Sequence, residues 1–138
     1  MNDFVGGDED THSVLRVDPA TNEIVATIAV RSPGHIAVGA GAVWTIDHFE
    51  RSDTLVRIDP SSNRVIATIP LDYYAFDVAA VDGAVWVTRD IVAAGRSGEL
   101  IRNDPATNEV VARIPVEGRI QDVVVGEGGI WVADSTST

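Results

Sequence analysis

The chain has no cysteine, which excludes disulfide frameworks, thiolate metal sites and a cysteine nucleophile together. It has no lysine either, so Schiff-base chemistry and a phosphate-loop lysine are excluded as well. Positive charge is scarce: ten arginines stand against 21 Asp and Glu, for a formal net charge of -11. Such a chain repels a phosphate backbone, so neither nucleic acid nor an anionic membrane is an expected partner. No apolar run approaches the roughly 18 residues of a membrane-spanning helix, and no basic-plus-apolar segment follows Met1. The expectation is a soluble chain with no membrane insertion and no export signal, its compartment left open. Sustained helical periodicity with capping residues is also missing. What is present, 45% hydrophobic and 22% charged residues over 138 positions, fits one globular domain.

The dominant positive feature is self-similarity. Three segments align, VLRVDPATNEIVATIA (14 to 29), LVRIDPSSNRVIATIP (55 to 70) and LIRNDPATNEVVARIP (100 to 115). The second and third agree at 9 of 16 positions, the first and third at 10 of 16. Each is followed by a second shared block: HIAVGAGAVW (35 to 44), DVAAVDGAVW (77 to 86) and DVVVGEGGIW (122 to 131). The Asp-Pro pairs fall at 18, 59 and 104, so the period is 41 and then 45 residues.

Each period reads as four short strands. HIAV, DVAA and DVVV are small and β-branched, suited to an inner strand with little room around it. A tight turn follows at Ala40-Gly41, Asp82-Gly83 or Glu127-Gly128, where glycine supplies the positive φ of a hairpin. The second strand carries Trp44, Trp86 or Trp131, and the third runs into an Asp-Pro turn. There proline presets φ, the aspartate accepts a backbone N–H, and Asn22, Asn63 or Asn108 tolerates a left-handed backbone. The fourth strand, EIVATIAV, RVIATIPL or EVVARIPV, is apolar on both faces, as in a sheet packed between two others. Asp18, Asp59 and Asp104 are thus turn residues, and the three tryptophans are packing between sheets.

Four strands per roughly 42 to 45 residues, with one tryptophan each, is the period of a β-propeller blade. The phrases IDPSSNRVIATIP and NDPATNEVVARIP, followed by a glycine turn and Val-Trp, resemble the YVTN-type β-propeller repeats of bacteria. The resemblance runs from about Val14 to Asp134. It implies a fold, not a reaction, since similar arrays occur as surface proteins, as sensor portions of receptor kinases and beside streptogramin-lyase-like propellers. A lysine-free chain rich in Ala, Val, Gly and Arg also suits a bacterial source of high GC content.

The predicted fold is therefore all-β, with three four-stranded blades per chain. Phe4 stands 11 residues before Leu15, as Trp44 stands before Leu55, so the chain is expected to open late in a second strand. Residues 1–34 then supply third and fourth strands, 35–75 and 76–118 two complete blades, and 119–138 first and second strands. Propellers usually have about 4 to 8 blades. Two copies that pair their half blades would close a six-bladed ring, so the predicted partner is the chain itself, as a homodimer.

Candidate sites sit where the repeats differ. In propellers the fourth-to-first and second-to-third connections share one face, and here those are the variable segments. His35, Asp77 and Asp122 occupy equivalent positions before the inner strand, near the axis. Carboxylates and imidazole converging there can bind a divalent cation or water, or can instead cap strand ends. No other cofactor is expected. His48, Phe49, Glu50 and Arg51 form a mixed loop; Tyr73, Tyr74 and Phe76 form an aromatic one that either binds a ligand or plugs its own blade. Arg89, Asp90 and Arg96 fall on the longest loop, and Arg119 on the last connection. The acidic start, Asp3 with Asp8-Glu9-Asp10, is a terminal charge run without the ligand spacing of a calcium loop. No Gly-x-Ser-x-Gly elbow occurs, and Ser, His and Asp form no ordered set. The functional expectation is a non-enzymatic propeller scaffold or binding module, with an unidentified protein or small ligand on the loop face. Two alternatives stay open: a metal-dependent lyase or hydrolase resembling the streptogramin lyases, and a repeat fragment or engineered half-propeller without activity.

Overall fold

The computed structural model describes residues 12–49, 52–72, 74–90 and 98–135. Phe4 and the acidic start lie outside that range, as do Glu50, Arg51, Tyr73 and Arg96. Among the described residues there are twelve strands and no α-helix. They are β1 (Ser13–Asp18), β2 (Glu23–Ala29), β3 (Pro33–Gly39), β4 (Ala42–Asp47), β5 (Thr54–Asp59) and β6 (Arg64–Pro70). There follow β7 (Ala75–Val81), β8 (Ala84–Arg89), β9 (Gly98–Asp104), β10 (Glu109–Val116), β11 (Ile120–Gly126) and β12 (Gly129–Asp134).

The strands form four antiparallel sheets. Two are four-stranded, β3-β4-β5-β6 and β7-β8-β9-β10, and two are hairpins, β1-β2 and β11-β12. The turn chemistry explains the regularity. Asn22, Asn63 and Asn108 take φ of 61°, 57° and 59°, as asparagine tolerates best among residues with a side chain. Asp18, Asp59 and Asp104 each accept the N–H two residues on, at 2.9, 3.0 and 2.9 Å. The hairpin turns are less uniform than their sequences. Ala40-Gly41 and Glu127-Gly128 have both central residues at positive φ, whereas at Asp82-Gly83 only the glycine does.

Successive sheets meet through their first strands, β3 against β7 and β7 against β11. The small residues of these strands allow it: a Cβ on Gly39 would stand 2.4 Å from the carbonyl oxygen of Ala80. Between the two four-stranded sheets lies the main core, with Trp44, Ile46, Leu55, Ile69, Val78, Val85 and Ile101. A second cluster of Ile28, Val30, Val56 and Ile58 fixes the β1-β2 hairpin on the outer face of the β3–β6 sheet.

The three tryptophans are not equally enclosed. Trp44 is fully buried, Trp86 is half-buried, and Trp131 is 58% exposed. Packing between sheets therefore describes Trp44; among the described residues Trp131 has no following sheet to meet.

Candidate functional site

All described connections from fourth to first and from second to third strands lie at one end of the sheets. Backbone bonds join them pairwise, His48 N–H to Ser32 O (2.9 Å), Asp90 N–H to Tyr74 O (2.9 Å) and Ser135 N–H to Arg119 O (3.0 Å). The Asp-Pro and glycine turns lie at the opposite end of the same strands.

His35, on β3, and Asp77, on β7, come together. His35 Nδ1 lies 2.9 Å from Asp77 Oδ1, and because a carboxylate only accepts, this nitrogen carries the proton. The Phe76 ring packs on the imidazole at 4.9 Å between centroids. Asp77 Oδ1 also accepts the Val78 N–H at 2.8 Å, and Oδ2 accepts the Val123 N–H of β11 at 3.0 Å. Both oxygens are thus engaged in joining three inner strands. Thr88 adds a parallel link, its hydroxyl accepting from Asp77 N–H (3.1 Å) and donating to Gln121 O (2.6 Å). Asp122 stands at the equivalent place on β11 and is exposed. Among the described residues no three His, Asp or Glu side chains lie close enough to hold a metal ion.

The remaining candidates are drawn into local networks. His48 Nδ1 lies 3.2 Å from Oδ1 of the buried Asp53, whose Oδ2 accepts the Ala75 N–H at 2.8 Å. Phe49 lies under the Arg31 guanidinium at 4.3 Å. Tyr74 is exposed, with φ of 70°. Arg119 Nε donates to Asp90 Oδ2 at 3.0 Å, and Gln121 donates to the same oxygen at 3.2 Å. Arg89 corrects the sequence reading: it is the last residue of β8, not a loop residue, and it is buried. Its Nη1 lies 2.6 Å from Glu99 Oε1, which Arg113 also reaches at 3.1 Å. A paired, buried arginine is not presented to a ligand.

Sequence reasoning missed a contact at the opposite end. Arg57, on β5, lies 4.9 Å over the Trp44 ring and donates through Nη1 to Pro105 O (2.6 Å) and Asn108 Oδ1 (2.8 Å) in the next sheet's turn. Arg16 does the same one sheet earlier, to Pro60 O (2.6 Å) and Asn63 Oδ1 (2.9 Å). Its signal was legible, since Arg16, Arg57 and Arg102 all stand two residues before an Asp-Pro pair.

A scan of protein-family models and a search of curated proteins match nothing. Solved structures do match. Kuenenia stuttgartiensis hydrazine synthase superposes with a TM-score of 0.77 at 18% identity, over 91% of this chain and 36% of that one. Apo AztD from Citrobacter koseri gives 0.67 at 18% identity, over 92% of this chain and 34% of the other. A luciferin-regenerating enzyme gives 0.57 at 13% identity, over 84% and 42%. This chain is an all-β, propeller-like fold. It spans about a third of the length of the first two, and at such identities the likeness concerns fold alone. Among the described residues no helix is long and apolar enough to cross a membrane.

Proposed function

We propose that this protein is a non-enzymatic propeller scaffold, three blades to a chain, which completes a six-bladed ring with a second copy and presents its loop face to a partner. The single observation that carries this reading is the pair of two-stranded sheets. By the sequence repeat, β1-β2 corresponds to third and fourth strands and β11-β12 to first and second strands, and this supports the reading that the two hairpins of different copies would make up one blade. An unpaired strand edge with apolar faces is costly to leave in water, and a two-fold operation removes both edges at once.

The loop face suits binding more than catalysis. Among the described residues of that face, His35 is paired with Asp77 and His48 with Asp53, and Asp77 and Asp53 also hold backbone N–H groups, which supports a structural role for both pairs. Titration calorimetry with Mg²⁺, Ca²⁺ and Zn²⁺ separates this reading from a metal-dependent lyase. No heat of binding is expected for the three ions. Stoichiometric binding abolished by His35→Ala would replace the scaffold with the metal enzyme.

A further inference from the structure

The groove between the β1-β2 hairpin and the β3–β6 sheet has a volume of about 340 Å³ and an almost wholly apolar lining. Four of its wall residues stand at the repeat positions of residues that cluster with Trp44. Trp44 lies in one cluster with Ile69, Val78 and Val85, with Ala80 packed against it. The groove has Ile28, Ile36, Val43 and Val38 at the matching repeat positions. Arg57 covers Trp44 and grips Pro105 and Asn108; Arg16 borders the groove and grips Pro60 and Asn63, which also line it. The groove has the architecture of a tryptophan seat.

One tryptophan of the chain is shaped for such a seat and remains outside one. Trp131 makes the same hydrogen bond as Trp44: its Nε1 donates to Gly126 O at 2.8 Å, as Trp44 Nε1 donates to Gly39 O at 2.9 Å. Yet 58% of it is exposed. We infer that the groove is a docking site for Trp131 of a second copy, which enters on β12 as that strand pairs with β1. This inference rests on the ring reading above and names its contact.

The repeats also fix the register. Trp44 faces Arg57 across β4-β5, and Trp86 faces Arg102 across β8-β9. Trp131 therefore faces Arg16 of the other copy, and Val132 faces its Leu15. Leu15 is 51% exposed, whereas Ile101 at the same repeat position is fully buried. The opposite side of the seam carries a matching deficit. Arg102 lies 5.5 Å over Trp86 but makes no hydrogen bond among the described residues, and Pro19 O and Asn22 Oδ1 receive none. In the chain's own pattern each arginine grips the next Asp-Pro turn, so Arg102 grips the turn at Pro19 and Asn22 of the second copy. Among the described residues one chain thus offers one open clamp and one ungripped turn, and a second copy carrying the same repeat satisfies both.

The native chain lacks cysteine, so a disulfide can report the register without background. The variant carrying Leu15→Cys and Val132→Cys should form an intermolecular disulfide on mild oxidation, while Leu15→Cys alone should not. In the unmodified protein, acrylamide should quench Trp131 poorly, read as the difference from Trp131→Phe. Arg102→Ala should weaken self-association by about tenfold or more, the worth of a charged hydrogen bond. A particle of two chains with no cross-link and an openly quenched Trp131 would overturn the seat while leaving the ring standing. A cross-link in a particle of three chains would keep the seat and overturn the six-bladed count. A folded single chain would overturn both.

Discussion

At the scale of single residues, the inner strands carry most of the structural detail. Asp77 reads from sequence as either a cation ligand or a strand-end cap. Its two oxygens join β3, β7 and β11, a link that a sequence cannot reveal because the Val123 donor is 46 residues away. Gly39 is a sharper case. A methyl group there meets backbone, not a flexible side chain, so β3 and β7 must separate to admit it. Gly39→Ala is expected to cost about 1–3 kcal/mol, as overpacking does. Chemical denaturation measures this, and an unchanged midpoint would mean that the two strands do not approach so closely.

At the scale of elements, the strands and turns were largely legible. The Asp-Pro-x-x-Asn pattern needs an aspartate acceptor and a left-handed residue at fixed spacing, and both occur as read. Tertiary partners were not legible. Arg89 was read as a loop residue because the long variable segment begins beside it, whereas its burial depends on Glu99 across the sheet. The arginine clamp joins different sheets and is invisible until the sheets are placed. It predicts an asymmetry between two similar changes. Asn63→Gly keeps the positive φ but loses the Arg16 acceptor, while Asn63→Ala loses both. The alanine variant should be the less stable by about 1 kcal/mol, the cost of a left-handed backbone with a Cβ. Equal melting temperatures for the two would argue against a strained turn.

At the scale of the whole molecule, the core lies between the two four-stranded sheets and both ends of the array are more exposed. The sheet that follows Trp44 is four-stranded, the one that follows Trp86 is the β11-β12 hairpin, and among the described residues none follows Trp131; the three are fully buried, half-buried and 58% exposed. In the proposed ring a second copy would give each of them a following sheet, as Trp44 has. If a composite blade is built from two chains, as proposed, folding and association are one step, and stability then depends on protein concentration. Light scattering across a hundredfold range of concentration tests this most directly. The account predicts a mass of twice 14.7 kDa wherever the protein is folded, with the smaller mass seen only on unfolding. A folded, cooperative 14.7 kDa particle at low concentration would contradict it.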